Sequence, residues 1–179
     1  MMMLETINTK KYYIRIIYFN QYLKGWKIIL HLLIDADACP VVDLALFISS
    51  QYEIEPILFC DTSHRIEREN IKTIIVDKGP DSVDFKLLSV LKRGDIVITG
   101  DYGLAAMCIA KGGIVVTHNG KELTSDNIDQ LLAYRFESAK IRRAGGRTKG
   151  PKKRTEENNL EFEYKFRQIC ERAIFHREE

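Results

Sequence analysis

Acidic residues recur in this chain directly after short apolar runs. Asp35 and Asp37 follow the run at 28–34, and Asp61 follows the run at 54–60 with His64 close behind. Asp77, Asp81 and Asp84 follow Thr73–Val76, and Asp101 follows the run at 95–99. If each run is a strand of one parallel sheet, all four ends deliver carboxylates to the same edge. Crowded carboxylates repel one another, and their pKa values rise unless a cation neutralises them. Hard divalent ions such as Mg²⁺ and Mn²⁺ take oxygen ligands and keep several waters. A divalent metal site, with Asp35, Asp37, Asp84 and Asp101 as ligands, is the simplest account of the cluster. Such ions can activate water and steady the leaving oxygen of a phosphodiester. On this reading Asp35, Asp37 and Asp101 are also catalytic, and His64 assists at the phosphate.

Each residue also has a plainer reading. Asp81 fits a helix cap, and Asp101 could be only that. Asp43 fits a charge on a helix surface, and His64 a histidine in a turn. Asp35 ends an apolar strand and is hard to place as solvated surface. Cys39 lies near a helix start, where a thiol can become a nucleophile. A small buried residue beside Pro40 fits it better. Cys60 and His64 could share a soft metal, but no second ligand pair with zinc spacing exists.

Charge is unevenly distributed. The chain has 179 residues and a formal net charge of +2. Residues 30–139 nevertheless carry 17 acidic and 10 basic side chains. Between Lys140 and Arg154 there are eight basic residues and no acidic one. Arg142, Arg143, Arg147, Lys149, Lys152 and Lys153 in this strip are candidate contacts to nucleic acid, since basic segments pair with phosphates and release counterions. The bland alternative is a solvated linker. Gly145, Gly146 and Pro151 argue against a stable helix in the strip. Gly145-Gly146 lacks the Lys-Ser/Thr ending of a phosphate loop. RNA or another polyanion is the expected partner.

The elements that position these residues follow from periodicity. Strands are expected at 28–34, 54–60, 73–76, 95–99 and 114–117, separated by helices at 41–50, 81–91 and 102–111. A helix over 124–141 presents Ile128, Leu131, Leu132, Phe136 and Ala139 on one side, and a last helix spans 156–175. Strands alternating with helices imply an α/β layered fold with a mainly parallel sheet. The chain divides into an N-terminal extension (1–27) outside the domain, an α/β domain (28–141), a flexible basic strip (142–155) and a C-terminal helix (156–179). Composition is 45% hydrophobic and 29% charged, which excludes a disordered or collagen-like chain. The four cysteines form no CxxC pair, so zinc-ribbon and thioredoxin-type motifs are absent and reduced thiols in a cytoplasmic protein are expected. Residues 12–34 are interrupted by Arg15, Lys24 and Lys27, so neither a membrane span nor a signal peptide is expected. Oligomeric state stays open, a homodimer included.

Several of these stretches, in order, resemble the YaiI/YqxD family of bacterial proteins. They are DADACP at 35–40, VDKGPDSVD at 76–84, GDIVITGDYGLAA at 94–106, NIDQLL at 127–132 and RRAGGRTKGP at 142–151. The resemblance implies a three-layer PIN-like α/β fold with a mainly parallel sheet of about five strands, plus the C-terminal helix. Many PIN-like domains are metal-dependent ribonucleases. Their pattern of acidic residues would place one at the end of the first strand (Asp35, with Asp37 beside it), one on a middle helix (Asp84) and one after the fourth strand (Asp101). The expected function is a Mg²⁺/Mn²⁺-dependent nuclease acting on RNA. One alternative is a non-catalytic RNA- or ribosome-associated protein. Another is a phosphohydrolase of the haloacid dehalogenase type, suggested by Asp35-Ala36-Asp37. That pattern is weakened by Cys39, where Thr or Val is usual, and by Ala105 four residues after Asp101, where an acid is expected.

Overall fold

The computed structural model describes residues 29–146 and 153–176. The expected N-terminal extension lies outside the described residues. The elements are β1 (His31–Asp35), α1 (Val42–Gln51), β2 (Glu55–Asp61), β3 (Lys72–Val76), α2 (Ser82–Val90) and β4 (Ile96–Ile98). They continue with α3 (Tyr102–Ala110), β5 (Ile114–Val116), β6 (Glu122–Leu123), α4 (Ser125–Arg143) and α5 (Glu156–Phe175).

The strands form one sheet in the order β3-β2-β1-β4-β5-β6. The first five are parallel, and β6 runs antiparallel to β5. Because strand side chains alternate, each parallel strand feeds two cores. Leu32 and Ile34 of β1, Leu58 of β2, Ile96 and Ile98 of β4 and Val116 of β5 face one layer, made of α1 and α5. Leu33, Ile57, Phe59, Val97 and Val115 face the other, made of α2, α3 and the start of α4. The central strands are apolar on both faces, as a sheet covered on both sides requires.

Three features differ from the expectation. The sheet has a sixth strand, β6, whose two residues are too few for a periodic signal. Helix α4 runs through Arg143 and so takes in the first residues of the basic strip. It ends where Gly145 adopts a φ of +80°, the left-handed conformation that terminates helices. Asp81 sits at the cap position of α2 with a φ of +54°, but its side chain makes no capping hydrogen bond.

The C-terminal helix belongs to the body of the molecule. Phe162, Phe166, Ile169, Cys170 and Ala173 are buried in the α1-side core, and the two phenylalanine rings stack at 5.2 Å. Polar links fasten the same helix: Tyr52 Oη donates to Glu171 at 2.9 Å, and Arg172 pairs with Glu122 at 2.6 Å. Arg154 locks its entrance. Its guanidinium donates to Asn159 Oδ1, to the His118 and Asn158 carbonyls and to Asn119 Oδ1. Arg154, the last residue of the basic strip, is thus a clamp between the β5–β6 turn and α5.

Candidate functional site

The sheet order reverses between β1 and β4. From β1 the chain moves outward through β2 and β3, then returns to β4 on the other side of β1. At such a switch point the connections leave in opposite directions and open a crevice beyond the carboxyl ends of the strands. Asp35 ends β1 there, and Thr99, Gly100 and Asp101 follow β4 there.

Thr99 is fully buried, and its hydroxyl donates to Asp35 Oδ2 at 2.7 Å. The same hydroxyl oxygen accepts from the Asp101 backbone N–H at 3.0 Å. One threonine therefore fixes the side chain of Asp35 and the backbone of Asp101. Burial pushes the Asp35 carboxyl up, and the charges of Asp37 and Asp101 push it further, against the bond from Thr99. Asp84 stands on the first turn of α2 and is half-buried. Burial raises its carboxyl to about 6, helped by the charges of Asp35, Asp101 and Asp81. The structure thus brings Asp35, Asp84 and Asp101 within electrostatic reach of one another.

Asp101 caps α3. Its Oδ1 accepts from the Gly103 N–H at 2.6 Å and the Leu104 N–H at 3.2 Å. Its Oδ2 lies 3.5 Å from Arg135 Nη1, and the Arg135 guanidinium stands 5.6 Å from the centre of the Tyr102 ring. Arg135 reaches the crevice from α4.

Asp37 turns the other way. Its Oδ1 accepts from the Asp61 backbone N–H at 3.1 Å, on the β2 side of β1, whereas Asp35 bonds on the β4 side. Asp37, Asp61 and His64 each offer a ligand atom, and the three atoms lie within 4.8 Å of one another. Asp61 Oδ1 accepts from the N–H groups of Ser63 and His64 at 2.6 and 3.1 Å and lies 3.4 Å from His64 Nδ1. Desolvation acts against ionisation of Asp61, but these hydrogen bonds outweigh it and hold the carboxyl below its usual range. Two carboxylates and an imidazole are a possible metal-binding triad.

The remaining expected residues sort as follows. Burial pushes the Cys39 thiol up to about 11, which disfavours the thiolate a nucleophile needs. Cys60 is fully buried within β2. Arg142 and Arg143 are exposed at the end of α4, and Lys153 is exposed before α5. Arg147, Lys149 and Lys152 lie outside the described residues.

Sequence reasoning passed over several groups at this edge. Thr99 was readable only as the end of a β-branched strand. Arg135 comes from a helix some 34 positions after Asp101, and no local spacing links the two. His118 follows β5 and lies beside Gly100, where an added Cβ would stand 2.9 Å from the imidazole Cε1. Burial, then the Arg154 charge, lowers its pKa, so it is neutral at pH 7. Asp61 was visible at its strand end, but only the β1–β2 register brings it to Asp37.

Among the described residues no helix is long and apolar enough to cross a membrane. No solved structure matches the chain. Curated relatives are numerous. A UPF0178 protein of Exiguobacterium sibiricum is 48% identical over 136 residues, covering 76% of this chain and 93% of its own. One from Bacillus cereus strain ZK / E33L is 43% identical, covering 76% and 95%. Another from Ruminiclostridium cellulolyticum is 48% identical, covering 75% and 88%. A family model described as "Uncharacterized BCR, YaiI/YqxD family" matches residues 33–172, which include the crevice and most of α5. With that match and relatives of this similarity, the chain belongs to the YaiI/YqxD family.

Proposed function

We propose that this protein is a Mg²⁺- or Mn²⁺-dependent nuclease that hydrolyses phosphodiesters in RNA at the crevice between β1 and β4. The observation that supports this most is the convergence of Asp35, Asp84 and Asp101 at the switch point, where their charges act on one another. An oxygen-rich set of this kind suits a hard divalent ion, and on the β2 side of β1 the separate group of Asp37, Asp61 and His64 offers an imidazole that suits Mn²⁺ better than Mg²⁺. Such an ion, when bound, supplies an activated water and neutralises charge on the phosphate. The order of the acidic residues agrees with a PIN-like arrangement, which is part of the proposal.

The chain's own residues have separable tasks. Thr99 holds Asp35 in one orientation by its hydroxyl. Asp84, pushed up by burial and by the neighbouring carboxylates, is the member of the cluster that a bound cation would relieve most. Arg135 offers a cation beside Asp101 where a phosphate oxygen would approach. Arg142, Arg143 and Lys153, with Arg147, Lys149 and Lys152, supply further contacts to the backbone of the nucleic acid. A cytoplasmic setting with reduced thiols fits free Cys39, Cys60, Cys108 and Cys170.

A second reading has one observation in its favour. Both oxygens of Asp101 are engaged within the protein, by the α3 N–H groups and by Arg135. A non-catalytic RNA- or ribosome-associated protein would use Asp101 in that way. The phosphohydrolase alternative needs Asp35 and Asp37 to serve one reaction centre, and their divergence to opposite sides of β1 does not favour it.

The test is Mn²⁺ and Mg²⁺ titration by calorimetry, followed by incubation of the metal-loaded protein with end-labelled RNA. Binding by the wild type, its loss in Asp35→Ala with Asp101→Ala, and cleavage that stops in EDTA are expected. A wild type that binds neither ion and cleaves no RNA overturns the nuclease and leaves the binding reading.

A further inference from the structure

Helix α4 starts inside the protein and ends outside it. Ile128, Leu131 and Leu132 pack into the core beneath α3. From Ala133 onward most residues are exposed. The stripe that holds buried Ile128 and half-buried Leu132 continues at helical spacing as Arg135, Phe136, Ala139, Arg142 and Arg143. Phe136 is 67% exposed, although a helix that only needed solubility would place a polar residue there. Leu132, Arg135, Phe136 and Ala139 line an open groove of about 520 Å³. Glu137 is the one acidic residue between 133 and 143, and helical geometry puts it on the opposite side.

We propose that this stripe is a track for single-stranded RNA that leads away from the carboxylate crevice. The proposal rests on the RNA reading above and extends it to strandedness and path. The root of the track is Arg135, which touches Asp101 at 3.5 Å and stands over the Tyr102 ring. A phosphate held at Arg135 is therefore beside the candidate site. Farther along the same stripe, Arg142 and Arg143 meet the following phosphates. Phe136 between these cations is a platform on which a base can stack. Stacking needs an unpaired base, since a duplex hides its base faces, so the occupant is single-stranded.

Charge decides against the other natural occupant of an exposed helical stripe, a second copy of the chain. Twofold pairing would set Arg135, Arg142 and Arg143 among the same arginines of the partner, and like charges at an interface are strongly unfavourable. A polyanion turns that repulsion into attraction.

The experiment is fluorescence anisotropy of a labelled twelve-nucleotide oligouridylate with the full chain in EDTA, so that binding is read without cleavage. Expected are salt-dependent binding and at least tenfold weaker binding of a duplex of equal length. Phe136→Ala should weaken binding about tenfold, and Phe136→Tyr should restore it. Arg142→Ala with Arg143→Ala should lower the slope of log K against log salt by about 1.4, since each phosphate contact on a single strand contributes about 0.7. All three side chains are exposed, and circular dichroism confirms that the variants fold. Wild-type affinity in both variants overturns the track. A dimer seen by light scattering that Phe136→Ala dissociates, with RNA binding unchanged, assigns the stripe to self-association and also overturns it. Failure of the nuclease reading looks different: no RNA is cleaved in Mn²⁺ while the variants still lose affinity. If instead Phe136→Ala cleaves RNA with wild-type KM, the track fails and the nuclease stands.

Discussion

The carboxylate crevice should cost the protein stability, and Asp84 is where that cost can be measured. Its carboxyl is raised from 3.8 to about 6 by burial first, then by the charges of Asp35, Asp101 and Asp81. The sign follows from proton linkage. In the unfolded chain the group ionises near 3.8, and in the folded chain near 6. Below pH 4 both states are protonated and the group is neutral to folding. Between pH 4 and 6 the unfolded state ionises first, so stability falls as pH rises, and above 6 the full penalty persists. A shift of about two units corresponds to roughly 3 kcal/mol at most. Solvent reaches this half-buried group and screens it, so about 1–2 kcal/mol is the reasonable expectation.

Asp84→Asn removes the charge and keeps the shape. Followed by urea unfolding without metal, the variant should match the wild type near pH 3.5 and exceed it by about 1–2 kcal/mol at pH 7. In a thermal melt at pH 7 the gain should be about 2–8 °C for a domain of this size. Mn²⁺ should reverse the ranking. A bound cation neutralises the crowded carboxylates, and at a hundred times its Kd it stabilises the wild type by about 2.7 kcal/mol, which Asp84→Asn should largely forgo. An Asp84→Asn protein less stable than the wild type at pH 7 without metal would refute the reasoning. It would mean that Asp84 makes a favourable interaction in the fold and is not held there against repulsion.

Four further outcomes follow from the geometry. Thr99→Val leaves Asp35 Oδ2 and the Asp101 N–H without their shared partner, and should destabilise by about 1–3 kcal/mol in urea unfolding while weakening Mn²⁺ binding by calorimetry. Cys39, with its thiol near 11, should react with iodoacetamide at pH 7 only after the protein is unfolded, as mass spectrometry of the alkylated chain would show. Phe166→Ala opens a cavity between α5 and the sheet and should cost about 3–5 kcal/mol by the same unfolding assay. Gly100→Ala sets a methyl 2.9 Å from the His118 ring, so it should displace that imidazole and shift its NMR resonances, with a loss of about 1–3 kcal/mol.

The layered fold was legible because its central strands are short and apolar on both faces, and its helices carry a stripe. Glu156–Phe175 announces its buried face through Phe162, Phe166, Ile169, Cys170 and Ala173, and the structure buries those five residues. Strand β6 was not legible, since two residues carry no period. Helix α4 ends two residues beyond the expected 141, because Gly145 breaks only the part of the strip that follows Arg143. Within the site, the carboxylates could be placed at strand ends because any parallel sheet sends all its carboxyl termini to one edge. Their partners could not. Thr99 reaches Asp35 only through the β1–β4 register, Asp61 reaches Asp37 only through β1–β2, and Arg135 arrives from another layer. The direction in which a carboxylate turns depends on which neighbouring strand offers a donor, and sequence order alone does not state which strands are neighbours.

Asp101 is where the catalytic and the binding readings part. As a cap it satisfies two N–H groups at the start of α3 through Oδ1, and replacing a capping Asp by Ala costs about 1 kcal/mol. That use is compatible with a second one, because the 3.5 Å ion pair between Oδ2 and Arg135 is one that a cation could replace. Asp101→Asn separates the uses. Its side-chain oxygen can still cap α3, so stability should change by less than about 1 kcal/mol, while the charge that meets Arg135 and a metal is gone. If the protein is a nuclease, Asp101→Asn should keep its melting temperature and lose Mn²⁺-dependent cleavage of labelled RNA. If it only binds RNA, Arg135 is released from its carboxylate, and the variant should hold RNA more tightly than the wild type in an anisotropy titration. A variant unchanged in stability, RNA affinity and cleavage would remove Asp101 from the site and leave it a helix cap.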